Sequence, residues 1–123
     1  MGEVRGAMTS LETDVEQRGE ICLVKLTGDL TSYSSPAFSK LWHEEVSAGH
    51  VKVALDFSGV GLISSAGIGE IVALTREVQA QNGGLSLCTL NEICTDAFEL
   101  TGLLPILDIF PTVDAGIAAL LKE

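Results

Sequence analysis

An α/β fold built on a mixed, mostly parallel sheet, with an N-terminal hairpin and about four helices, is predicted by three observations. Two strand-like segments separated by a turn open the chain, Leu11–Glu16 and Ile21–Thr27. Apolar, β-branched runs then alternate with longer segments of helical periodicity as far as the C-terminus. That alternation marks strand–helix–strand units, whose strands run parallel. No linker, repeat or low-complexity segment interrupts the pattern, so residues 11–123 read as one domain behind a flexible polar leader, Met1–Ser10.

Each element has local grounds. Leu11–Glu16 alternates in strand fashion, Arg18-Gly19-Glu20 offers the hairpin turn, and Gly28 ends the second strand. Pro36, preceded by Ser34 and Ser35 as possible caps, starts a helix whose apolar face is Ala37, Phe38, Leu41, Trp42 and Val46. Gly49 stops it. Val51–Phe57, apolar on both faces, is the central strand. A second helix spans Ala66–Ala80 and ends at Asn82-Gly83-Gly84. Gly67, Ile71, Leu74 and Val78 form its core face, Ile68 and Val72 its shoulder, and Glu70, Arg76 and Glu77 its outside. Leu85–Leu90 is the next strand, and Asn91 caps a helix over Glu92–Leu100 that Thr101-Gly102 ends. Leu107–Phe110 is a short last strand. Pro111-Thr112 then leads into a C-terminal helix, Val113–Leu121, with Val113, Ile117, Leu120 and Leu121 on one side. Right-handed crossovers place the helices on one principal face of the sheet.

Composition narrows the function classes. With 17 acidic against 7 basic residues the net charge is −10, which disfavours nucleic acid and anionic lipid as partners. A protein with a basic face fits better, although such acidity also serves solubility. A 46% hydrophobic content and a mean hydropathy of +0.37 indicate a packed core rather than disorder. No apolar run reaches the length of a membrane span and the polar start lacks a signal-peptide core, so a cytoplasmic location is expected. Cys22, Cys88 and Cys94 form no C-x-x-C pair, and an odd count argues against a disulfide framework. His43 and His50 have no cysteine or acid at metal-ligand spacing, and Glu44 and Glu45 look like a solvated helix face. No metal or other cofactor is expected.

The most informative stretch is Val51–Leu74. A buried strand runs into the turn Ser58-Gly59-Val60-Gly61, after which Ser64 and Ser65 open a helix with the small residues Ala66, Gly67 and Gly69. A serine there sits among unpaired backbone N–H groups at the positive end of the helix dipole, a favourable place for a phosphate. Ordinary capping is the simpler reading of either serine. No capping-box partner follows, since Gly67 and Ile68 occupy the positions three residues on. Gly67 and Gly69 admit two readings, tight packing on the sheet or close approach of a partner's backbone. The loop Thr31-Ser32-Tyr33-Ser34-Ser35 follows the C-terminal end of a strand, where α/β sheets carry their binding crevice. It is expected beside Ser64 and Ser65 in one hydroxyl-rich patch, unless it is merely a polar lead into the Pro36 helix.

The segment Ser64-Ser65-Ala66-Gly67-Ile68-Gly69 resembles the Asp-Ser-Ser-Gly-Leu-Gly motif of the STAS domain, the fold shared by anti-sigma factor antagonists and the cytoplasmic tails of sulfate transporters. Val24-Lys25-Leu26-Thr27-Gly28-Asp29-Leu30 resembles the family's second strand and its Gly-x-Leu turn. The resemblance covers the chain from about Leu11 onward and implies a STAS-like fold. It places the family's phosphorylated serine on Ser65, with Ser64 as the alternative. Two of the family's pocket acids are replaced, one by Ser64 and one by Thr31.

What the resemblance implies is an anti-sigma factor antagonist. Its partner would be an anti-sigma factor with serine-kinase activity, which supplies ATP and magnesium itself. A serine phosphatase would reverse the modification. The implied partner surface comprises Thr31, Ser32, Ser64, Ser65, Ala66, Gly67, Ile68, Gly69 and Val72. Two alternatives stand beside it: a constitutive STAS accessory subunit of a lipid-trafficking ABC transporter, and a scaffold of a stress-signalling complex. Catalysis is not expected. Neither histidine is placed to serve a nucleophilic serine, the Ser64–Ser65 region is no G-x-S-x-G elbow, and Gly59-x-Gly61 lacks the rest of a nucleotide-binding loop.

Overall fold

The computed structural model describes residues 11–122; the leader expected over Met1–Ser10 lies outside them. Strands β1 (Leu11–Arg18) and β2 (Ile21–Gly28) form an antiparallel hairpin. Its two-residue loop opens on Gly19, whose φ of +59° suits the tight turn. Then follow α1 (Ser35–Ser47), β3 (Lys52–Gly59), α2 (Ser65–Ala80), β4 (Gly84–Cys88), α3 (Glu92–Leu100), a 3₁₀ turn (Leu104–Ile106), β5 (Asp108–Phe110) and α4 (Val113–Leu121). The strands lie in the order β1-β2-β3-β4-β5, and every pair beyond the hairpin is parallel. No helix among the described residues is long and apolar enough to cross a membrane.

Side-chain parity along the strands explains the layering. Cys22, Val24 and Leu26 of β2, Val53, Leu55 and Phe57 of β3, and Leu85 and Leu87 of β4 face one side. There they pack against Phe38, Trp42 and Val46 of α1, Ile71, Leu74 and Val78 of α2, and Cys94 and Phe98 of α3. The opposite parity, Ile21, Leu23, Ala54 and Cys88, forms a second cluster with Leu120, Val113 and Ile117 of α4. The expectation of one helical face therefore holds for three helices and fails for the fourth. Among the described residues no parallel strand follows α4, and it covers the second apolar face of the sheet.

Boundaries moved where local chemistry outweighed the hydropathy pattern. β4 stops at Cys88 rather than Leu90, because Thr89 turns into the left-handed region with φ +62°. Glu70 is half-buried rather than outside, since its Oε1 accepts a 2.9 Å hydrogen bond from the Trp42 indole and ties α2 to α1. Leu121 is exposed, leaving Val113, Ile117 and Leu120 as the packed face of α4.

Candidate functional site

Three connections meet at the C-terminal ends of the parallel strands: residues 29–34 after β2, 60–64 after β3, and 89–91 after β4. Backbone bonds join the first two. The Leu30 N–H donates to the Leu62 carbonyl at 3.1 Å, and the Ser64 N–H donates to the Leu30 carbonyl at 2.9 Å. Leu30 and Ile63 thereby form an isolated parallel bridge. The 30s loop and the start of α2 are therefore adjacent, as their positions at strand ends predict.

Side chains fix the loops further. Ser34 is buried; its Oγ accepts from the Thr31 N–H at 2.9 Å and donates to the Asp29 carbonyl at 2.8 Å. Thr31 Oγ1 accepts from the Tyr33 N–H at 3.2 Å, so that hydroxyl is partly engaged within the loop. Asn91 caps α3 by accepting from the Cys94 N–H, while its amide donates to the carbonyls of Val60 at 3.2 Å and Gly61 at 3.0 Å. The sequence reading recognised the cap but missed this brace, because the other half of the amide acts across 30 residues.

The nominated residues differ in what they present. Ser65 is exposed as the first residue of α2. Ser64 occupies the cap position in an extended conformation, yet its side chain makes no cap bond. Its Oγ is buried without a hydrogen-bond partner. The N–H groups of Ser65, Ala66 and Gly67 precede the first helical bond, from the Ile68 N–H to the Ser64 carbonyl at 2.9 Å. Ser32 and Gly69 are exposed, whereas Thr31, Ala66 and Val72 are half-buried.

Gly67 and Ile68 are buried and support the surface from behind. A Cβ at Gly67 would stand 2.7 Å from the Leu30 carbonyl and 2.8 Å from the Ile63 side chain, so packing is what this glycine serves. A Cβ at Gly69 would meet nothing within 4 Å. Its open face is free for another backbone to approach.

Two features of this end of the sheet carried no usable sequence signal. The Asp29 carboxylate lies against the 60s loop, where a Cβ on Gly61 would be 2.9 Å from its Oδ1. An acid is thus present although Thr31 and Ser64 are not acidic. Tyr33, Leu62 and Ile93 are large, exposed apolar side chains carried on or beside the three connections. Spacing in the chain relates none of them to the others.

At the opposite end of the sheet the fold brings together residues that spacing in the sequence keeps apart. Cys22, Glu45 and His50 offer ligand atoms that all lie within 4.8 Å of one another. His50 does have a cysteine and an acid beside it, and Glu45 is half-buried rather than solvated. Burial, with the Glu45 carboxylate adding to it, pushes the Cys22 thiol up to about 11. Burial and then Asp56 do the same for Cys88, also to about 11, and burial followed by Asp29 raises Cys94. All three are free and buried. Such thiols are poor nucleophiles at neutral pH.

The model of the STAS domain family matches residues 12–116. The anti-sigma-B factor antagonist of Bacillus subtilis strain 168 is 28% identical over 109 residues, covering 88% of this chain and 98% of that protein. The crystal structure of an anti-sigma factor antagonist from Mycobacterium paratuberculosis superposes with a TM-score of 0.84 at 21% identity, over 92% of this chain and 96% of that one. The Bacillus cell fate determinant SpoIIAA in its phosphorylated form gives 0.70 at 19% identity, over 88% and 98%. With the family's model spanning nearly all of the sheet and its helices, the chain belongs to the STAS domain family.

Proposed function

We propose that this protein is an anti-sigma factor antagonist whose binding is ended by phosphorylation of Ser65. The observation that carries this reading is the contrast between the two serines at the start of α2. Ser65 is open to solvent, and the Ser64 hydroxyl is enclosed. A kinase must bring the acceptor oxygen into its own active site, and Ser65 alone of the pair offers one. The bound partner would be an anti-sigma factor with serine-kinase activity, and a serine phosphatase would restore binding. The curated relative in Bacillus subtilis, named for antagonism of an anti-sigma factor, supports the same class of partner.

The surface has the chemistry such a role requires. Ser32, Ser65 and Gly69 are exposed around half-buried Thr31, Ala66 and Val72, and Tyr33, Leu62 and Ile93 supply apolar contact area. A phosphate on Ser65 adds about −1.5 to −2 charges to a chain already at −10. The unpaired N–H groups and dipole of α2 receive that charge without unfolding the helix. The partner is lost through the bulk of the phosphate at the contact while the fold stays intact.

A second reading rests on Ser64 and Thr31, the hydroxyls that stand where the family carries acids. A constitutive STAS subunit of a transporter does not need those acids for recognition by a kinase. Calorimetric titration of the anti-sigma factor into Ser65→Asp and Ser65→Ala variants separates the two. The antagonist reading expects the aspartate to weaken binding by at least roughly tenfold and the alanine to retain it, with both melting as the parent does. Equal binding by both variants sinks the phosphorylation switch, and binding by neither the variants nor the parent leaves the constitutive transporter subunit.

A further inference from the structure

The geometry points to a zinc(II) site formed by Cys22, Glu45 and His50, at the end of the sheet remote from Ser65. Three segments supply it. Cys22 stands near the start of β2, held in register between Gln17 of β1 and Val53 of β3. Glu45 comes from the last turns of α1, and His50 from the connection between α1 and β3. The His50 Nδ1 lies 2.7 Å from the Glu45 Oε1, and the Cys22 Sγ lies 3.7 Å from that same oxygen.

One carboxylate oxygen thus faces a thiol and an imidazole nitrogen. The three donors lie within 4.8 Å of one another. Zinc bonds of about 2.0–2.3 Å hold neighbouring ligand atoms roughly 3–4 Å apart, so a contraction of about 1 Å suffices. Glu45 and His50 can supply that movement, because their side chains are 24% and 36% exposed while Cys22 is fully enclosed by the sheet.

The donor set selects the metal. Sulfur, nitrogen and oxygen together suit a borderline-soft ion and disfavour magnesium or calcium, which take oxygen alone. A thiolate and a carboxylate neutralise the two positive charges of zinc, and the imidazole binds as a neutral ligand. On binding, the Cys22 thiol releases its proton to buffer and the sulfur lone pair enters the metal. His50 coordinates through Nδ1 and keeps its ring proton on Nε2, while water fills the fourth position. No electron is transferred. The ion would pin α1 and the following loop to β2, a cross-link that spacing in the sequence does not reveal.

Cobalt(II) titration of the chelator-treated full chain tests the site. The expected result is a near-ultraviolet thiolate-to-cobalt band that saturates at one equivalent and is displaced by zinc, and zinc should also raise the melting temperature. Cys22→Ser removes the band. His50→Ala, at a partly exposed position that leaves the core intact, weakens binding by at least roughly tenfold, as does Glu45→Gln. Absence of the band in the parent chain overturns the site. So does a band that survives Cys22→Ser, which would come from Cys88 or Cys94, or an unchanged affinity in His50→Ala.

Discussion

Ser64 and Ser65 are neighbours with opposite surroundings. The Ser64 N–H donates to the Leu30 carbonyl and its hydroxyl is buried, whereas Ser65 lies on the surface. A second residue, Asn91, decides how firmly the adjoining loop is held. It caps α3 and braces Val60 and Gly61 with the other half of the same amide. Thr112 offers a natural comparison, since its Oγ1 caps α4 through the Ala115 N–H alone. Thr112→Ala should cost about 1 kcal/mol, the ordinary loss of a cap. Asn91→Ala should cost about 2–3 kcal/mol, because two carbonyls lose their donors as well. Urea denaturation of the pair measures the difference. Equal costs would mean that the brace to the 60s loop contributes nothing.

The elements themselves were legible because hydropathy periodicity, Pro36 and the glycine stops act locally. α3 and α4 have the boundaries that Asn91 and Thr112 announce, and the core face of α2 follows from its period. What could not be read depended on tertiary placement. The side of the sheet taken by α4 follows from strand parity across three strands. The partnership of Glu70 with Trp42 follows from how α1 and α2 pack, and the end of β4 from the left-handed turn at Thr89. Gly67 and Gly69 looked alike in the sequence and separate only in the fold. Gly67→Ala should destabilise the protein by about 1–3 kcal/mol, because its methyl group collides with Leu30 and Ile63 where α2 begins. Gly69→Ala meets only open space and should raise stability by up to about 1 kcal/mol. If the exposed backbone at Gly69 is a docking point, the same change weakens partner binding. Thermal melts with a binding titration read both effects, and a neutral Gly67→Ala would contradict the packing assigned to it.

At the scale of the whole molecule, two buried thiols make stability sensitive to alkali. Cys22 and Cys88 ionise near their ordinary 9.0 in the unfolded chain and near about 11 in the folded one. Between those values the unfolded state binds fewer protons, so stability falls as pH rises and levels off above the folded value. The expected loss is on the order of 2–3 kcal/mol per thiol, read as falling urea midpoints across that interval. Replacing Cys88 with alanine should flatten the decline, and an unchanged slope would contradict its assignment to the thiols. Function also belongs to this scale. An acidic molecule gathers loops from three strand ends into one surface, rests them on a rigid sheet, and leaves one serine exposed at the start of α2. The measurement that tests this account most directly is intact-mass analysis with phosphopeptide mapping, after incubation with a candidate anti-sigma factor kinase and ATP. One phosphate on Ser65, accompanied by release of the partner, is the predicted result. A phosphate on Ser64 would contradict the accessibility argument, and no phosphate at all would contradict the switch.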